Sequence, residues 1–431
     1  MMPVKNGLFD TCTYMYDGDT MTCFFSLRPS SPPRARITAV VVTAAFALLL
    51  APARAETRAP ALQLETLRRE GNVYLVNAGT EADAGARVQL TLDPRLQEPI
   101  EDVLRTFQIP YAGAVVVSIP DGRVLAMVGR SAAQPALGAR ELALTAWAPA
   151  ASVFKVVSAA ALVSVGGLSG ATRTCYHGGV SSIVPDNLID LPVIDRRCET
   201  LAYGLGKSRN AILAKLATQH LTAAQLTRVG RAFGFEETIP FDLPVAPSHL
   251  DVPADSLEFA RTAAGFWHST LSPLHGALLA AAIANHGEMP APTLVDRAFD
   301  AQGRELPLAL ANGPRRVVTL DAAREVGRMM ELTTRIGTAK ATFRDKHGNR
   351  YLPVEVAGKT GTLSAQTDQG YLGYSWFVGY APADHPSIAF AVVLGNPPQW
   401  RIKATYVAKR IVAEHLAARG DRGAARMLAR R

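Results

Sequence analysis

The sequence predicts an α+β fold: a largely antiparallel sheet flanked by helices, with a helical region inserted between strands from the two ends of the chain. Three observations carry this. Two β-rich runs, at 114–119 and 123–128, stand near the front and are separated by the turn signal Pro120-Asp121-Gly122. Three further runs, at 354–362, 374–380 and 387–394, alternate or stay apolar near the back. Between the two groups lie stretches of helical length, at 152–165, 211–220, 222–233, 273–285 and 321–334.

Taken in order, residues 1–55 form an N-terminal extension with a signal peptide or anchor. Arg34 and Arg36 precede the apolar run 37–50, and Ala53-Arg54-Ala55 offers the small residues a signal peptidase accepts. Cleavage there would leave Glu56 first; the alternative is an uncleaved anchor, although the run falls short of the ~20 residues that span a bilayer. Residues 56–91 are expected to be a short linker, too short for another enzyme domain. The main domain is placed at 92–417. Asp93 can cap a helix with Pro94 at its first position, which would run toward Phe107 and bend at Pro99. The hairpin, the helical region and the late strands follow, and 406–417 would be the closing helix. Residues 418–431 are expected to form a basic C-terminal tail.

A chain of 431 residues, 48% hydrophobic, can bury a large core as one α/β unit. Its net charge is +8, but the 31 residues from Arg401 carry nine Lys/Arg against Glu414 and Asp421. That difference of +7 leaves the body nearly neutral, which argues against a nucleic-acid partner. Cys12 and Cys23 precede the export signal. Cys175 and Cys198 flank the segment leading to Ser208, and an exported compartment permits a disulfide between them; two free thiols are the alternative. Cys175-Tyr176-His177 has poor ligand spacing, so no metal site is expected.

Ser152-Val153-Phe154-Lys155 sets a lysine one helical turn from a serine inside an apolar run. Residues three apart share a helix face, so the Lys155 amine can reach the Ser152 hydroxyl. Burial disfavours an ammonium and lowers its pKa, and a neutral amine can take the serine's proton and make it a nucleophile. Taken alone, the motif also fits a lysine that snorkels to the surface. Two further motifs follow in order: Ser208-Arg209-Asn210, and Lys359-Thr360-Gly361-Thr362 on the strand at 354–362. Ser208 offers a proton-relaying hydroxyl, and Asn210 an amide for a substrate backbone. The strand offers a cation, two hydroxyls and, at Gly361, a position without side-chain bulk, so a peptide can lie beside it. A helix cap at Ser208 and a solvated Lys359 are the plain alternatives. Arg209 is given no role.

This ordered triplet resembles the penicillin-recognising serine enzymes, and over about residues 88–417 the chain is similar to the transpeptidase domain of penicillin-binding proteins. Leu92-Asp93-Pro94-Arg95-Leu96-Gln97 resembles that family's entry segment, and residues 149–155 its proline-led approach to the nucleophile. Gly337-Thr338-Ala339 resembles the segment before the Lys-Thr-Gly strand, and residues 376–382 the strand after it. Ser272-Pro273-Leu274-His275 through Ala284-Asn285-His286-Gly287 is similar to a family helix, with a serine in place of threonine and His286 intervening.

The resemblance implies a β-lactamase/transpeptidase-like fold. The short stretch 56–91 leads us to expect a monofunctional protein, without the glycosyltransferase domain of bifunctional relatives and, as a departure from the family, without the large pedestal of division-type ones. The resemblance also implies a peptidoglycan D,D-transpeptidase that is exported to the periplasm or the outer face of the cytoplasmic membrane, needs no cofactor and is acylated by β-lactams. Its partners would be stem peptides and membrane-bound proteins of cell-wall synthesis. Ser152 would be the nucleophile, Lys155 the base and Ser208 the proton relay. Asn210, Lys359, Thr360, Gly361 and Thr362 would hold the substrate. A D,D-carboxypeptidase would differ only in admitting water. A serine β-lactamase needs a deacylating base, and no Glu here has Asn four residues on, the spacing of the commonest class. A penicillin-binding sensor or scaffold is the non-enzymatic reading.

Overall fold

The computed structural model describes residues 13–17, 20–24, 61–79, 85–308, 313–367 and 370–429. The chain forms two compact units, Met1–Ala55 and Glu56–Arg431. In the first, the described residues make an antiparallel hairpin, Thr13–Asp17 with Thr20–Phe24. The expected export segment, 34–55, lies outside the described residues.

The second unit opens with strands β1 (Leu62–Glu70), β2 (Val73–Ala78) and β3 (Arg87–Leu90). Helix α1 (Pro94–Thr106) follows, its first turn capped by Asp93, and then the hairpin β4 (Tyr111–Ser118) and β5 (Val124–Arg130). The helical region begins with α2 (Lys155–Ser164). A short ribbon, β6 (Arg173–Tyr176) and β7 (Arg197–Thr200), leads into α3 (Leu201–Gly206), α4 (Asn210–His220) and α5 (Ala223–Ala232). Next come α6 (Ser256–Ala263), α7 (Pro273–Ala284), strands β8 (Val295–Phe299) and β9 (Glu305–Leu306), and α8 (Leu320–Arg335). The chain ends with β10 (Ala357–Thr367), β11 (Gly370–Ala381), β12 (Ile388–Asn396), α9 (Ala404–Ala418) and α10 (Arg422–Ala429).

The central sheet has the order β10-β11-β12-β4-β5, every pair antiparallel, so strands from both ends of the chain meet where Ile388 lies opposite Ser118. Both of its faces are covered. Ala389, Ala391 and Val393 face one core with α2, α7 and α8, while Ile388, Phe390, Val392 and Leu394 face a second with α1 and α9. A strand buried on both faces reads as an unbroken apolar run, which is why 387–394 shows no alternation. Helix α7 is buried on all sides, each of its twelve residues included, and Ser272 Oγ accepts from the His275 amide at its start (3.2 Å).

Two expectations are corrected. Residues 56–91 contain three strands of a second sheet, ordered β9-β8-β3-β2-β1, rather than a linker. The stretch is too short for a domain of its own but long enough to complete a sheet whose other strands, β8 and β9, lie some 200 residues away, as in the pairing of Val88 with Ala298. The basic tail carries helix α10. Ala424 is fully buried, and Met427 and Leu428 pack against the second core at i+3 and i+4, an apolar stripe that the neighbouring arginines obscure in the sequence.

Candidate active site

Ser152 sits in a single 3-10 turn, Ala151–Val153, immediately before α2. Ala151 holds φ +50°, a left-handed conformation that costs an alanine roughly 1–2 kcal/mol, and three contacts hold the turn in place. The Ala150 amide donates to Ser269 O (2.9 Å), and the buried Trp376 Nε1 donates to Pro149 O (2.9 Å). Gly265, at φ +78°, lies so close that a Cβ there would stand 2.3 Å from Ala151 O.

Lys155 opens α2 and is fully buried. Its Nζ lies 2.7 Å from Ser152 Oγ, 2.7 Å from Asn210 Oδ1 and 2.5 Å from Ala264 O. Burial pushes its pKa well below the usual lysine value, and the charge of Lys359 pushes in the same direction. A neutral amine has two N–H bonds and one lone pair. The two carbonyl oxygens take the N–H bonds, and the lone pair is left to accept from the Ser152 hydroxyl.

Ser208 holds φ +54° between α3 and α4, and Asn210 is the first residue of α4. Asn210 Nδ2 donates to Val180 O (2.8 Å), which fixes the amide's orientation and leaves Oδ1 to Lys155. Val180 belongs to the loop between β6 and β7, whose base is closed by a Cys175–Cys198 disulfide at directly opposed strand positions. Beneath the loop, the buried Lys215 Nζ bonds Cys175 O (2.9 Å), Asp195 (2.8 Å) and Asp190 (2.9 Å), and His177 bonds Asp195 (2.6 Å). The loop that orients Asn210 is thus tied both covalently and by charge.

On β10, Lys359 is fully buried, and its Nζ donates to Ser208 Oγ (2.8 Å) and Thr360 O (2.9 Å). Burial brings its pKa down to about 7. Thr360 shares a hydrogen bond with Thr338 (2.6 Å between hydroxyls), and a Cβ at Gly361 would meet Trp376 and Val153 at 3.0 and 3.2 Å. Ser152, Ser208, Asn210, Thr360, Gly361 and Thr362 all line one cleft of about 510 Å³, with the two lysines behind them. Residues as far apart in the sequence as Ser152 and Thr362 therefore line one cleft.

Several contributors lie outside the three motifs. Ala264 and Val180 act through backbone carbonyls, which carry no side-chain signal. Gly265 is one glycine among 34, and only the close approach of the nucleophile turn distinguishes it. Thr338 precedes β10 in a recognised segment, but its bond to Thr360 depends on the fold. Among the described residues, no group of three or more His, Cys, Asp or Glu is placed to hold a metal ion.

The chain resembles known proteins both in sequence and in fold. The family model for the penicillin binding protein transpeptidase domain matches residues 112–417. The peptidoglycan D,D-transpeptidase PbpA of Mycobacterium tuberculosis is 27% identical over 352 residues, which cover 74% of this chain and 69% of that protein. The crystal structure of a D,D-transpeptidase domain from Eggerthella lenta superposes with a TM-score of 0.62 at 25% identity, covering 77% of this chain and 83% of that one. Penicillin-binding protein A from M. tuberculosis, solved as an imipenem acyl-enzyme complex, shares the fold with a TM-score of 0.63 at 23% identity, covering 76% and 79%.

Proposed function

The chain belongs to the penicillin-binding protein transpeptidase family, and from that premise we propose that it is a peptidoglycan D,D-transpeptidase acting through a serine acyl-enzyme at Ser152. The observation that carries the reading is the buried Lys155 Nζ, 2.7 Å from Ser152 Oγ and pinned by two carbonyl oxygens on its other sides. Ser152 Oγ attacks the carbonyl of the penultimate D-alanine while its proton passes to Lys155. Ser208, held by Lys359, hands its proton to the departing amine of the terminal D-alanine and takes up in exchange the proton that Lys155 removed from Ser152, so that its hydroxyl is restored. Asn210 Nδ2 holds the donor peptide's backbone, and Thr360 and Thr362 receive its terminal carboxylate. The backbone amides of Ser152 and Thr362 stabilise the oxyanion, a kind of contact whose loss costs about 100-fold or more in rate. The amine of a second stem peptide then attacks the ester, forms the cross-link and returns the proton to Ser152.

The described residues lining the cleft include no carboxylate that could activate water against the ester, which supports slow hydrolysis and argues against a serine β-lactamase. Export follows from the substrate, which lies outside the cytoplasm; among the described residues no helix is long and apolar enough to cross a membrane. We further infer that membrane-bound partners of cell-wall synthesis position the domain.

The test is a D-alanyl-D-alanine peptide supplied with and without an amine acceptor, followed by mass spectrometry. We expect a cross-linked product to exceed the hydrolysed one when acceptor is present. Hydrolysis unaffected by acceptor would make the protein a carboxypeptidase, and no release of D-alanine would leave a sensor or scaffold.

A further inference from the structure

The charge around the cleft exceeds what one terminal carboxylate needs. Besides the two lysines behind the serines, the described lining residues include the cations Lys207, Arg209 and Lys403 and no aspartate or glutamate. A cleft lined with one sign of charge concentrates ligands of the other.

Arg209 is the best placed of the three. It stands between Ser208 and Asn210, so its backbone is fixed beside the amide that would hold the donor peptide upstream of its last two residues. Its charge acts on Tyr176, which lines the same cleft. Its guanidinium donates no hydrogen bond within the described residues, and its Nε is buried without a partner. An unmet buried donor of this kind is unfavourable. A carboxylate accepts from a guanidinium in a paired, fork-like fashion that a carboxamide, with one oxygen and an NH₂ group, does not reproduce.

We propose that the cleft selects donor stem peptides carrying a second free carboxylate upstream of the terminal D-alanyl-D-alanine, and that Arg209 reads it. This rests on the transpeptidase reading above and adds the substrate's chemistry to it: a free acid at that position, rather than its amide.

The test uses the protein from Glu56 onward and two synthetic peptides that differ only in that upstream group, carboxylate in one and carboxamide in the other. D-alanine release gives kcat/KM for each, and the readout is their ratio. For wild type we expect the acid to be favoured by about tenfold or more, the value of a charge-assisted contact. The ratio should fall to near one in Arg209→Gln and recover in part in Arg209→Lys. A wild-type ratio near one, a preference for the amide, or a preference that survives Arg209→Gln would overturn the proposal, and the wild-type ratio stands even where a variant folds poorly. A penicillin arm on wild type separates the two levels. A penicilloyl adduct together with a ratio near one removes only this inference, whereas no adduct removes the transpeptidase reading and this inference with it.

Discussion

Two lysines with no acidic partner among the described residues, Lys155 and Lys359, are fully buried, and each is displaced from its ordinary pKa by that burial. In the proposed mechanism, the displacement suits Lys155 to act as the base. Lys155→Met should slow penicillin acylation by about 100- to 10,000-fold, the range for a positioned proton acceptor, measured as the rate of adduct formation. For Lys359 the displacement has a cost in stability. Its pKa is about 7 in the fold against 10.5 when unfolded, so between those values the unfolded chain binds more protons and stability rises with pH. The penalty is fully present below pH 7 and is gone above 10.5, and Lys155 contributes with the same sign. Lys359→Met should flatten this rise between pH 7 and 9 by on the order of 2 kcal/mol, measured by urea unfolding at the two pH values. At this scale the sequence singled out side chains that the fold gathers, Ser152 and Asn210 at Lys155 and Ser208 at Lys359. It was silent where a backbone carbonyl makes the contact, as at Ala264 and Val180.

Element by element, the site depends on close approaches that short segments make to one another. The turn bearing Ser152 is pressed between β10, through Gly361, and the segment after α6, through Gly265. Gly265 has two constraints at once, a left-handed φ of +78° and the Ala151 carbonyl where a side chain would start. Gly265→Ala should therefore displace the nucleophile turn rather than merely lower stability. We expect penicillin acylation to fall by at least about tenfold at temperatures where circular dichroism shows the variant folded; normal acylation in a folded variant would contradict the clamp. Helices α1, α7 and α8 were readable to within a residue and β4, β5 and β12 to within three, whereas β10 runs five residues past the expected end at 362 and β11 begins four before the expected 374. The short helices α3 and α6 were not, because six to eight residues offer too few turns to show a period.

Across the whole molecule, the site exists because the chain returns to its starting sheet. Strand β12 pairs with β4, and β10, three strands from β4 in the same sheet, brings Lys359 beside Ser208. The order of the three motifs made that convergence legible through family resemblance, since no local pattern reports which strands pair. The second sheet was missed in part for the same reason: β3 pairs with β2 nearby, but its other edge is completed by β8, far along the chain. The central claim is that this convergence makes Ser152, alone among the serines, a nucleophile toward penicillin. The most direct test is to incubate the protein from Glu56 onward with a penicillin, follow intact mass over hours, and map the adduct by proteolysis. We expect one stable penicilloyl group on the peptide containing Ser152 and none on Ser152→Ala. An adduct mapped to another residue, or an adduct that persists in Ser152→Ala, would contradict it.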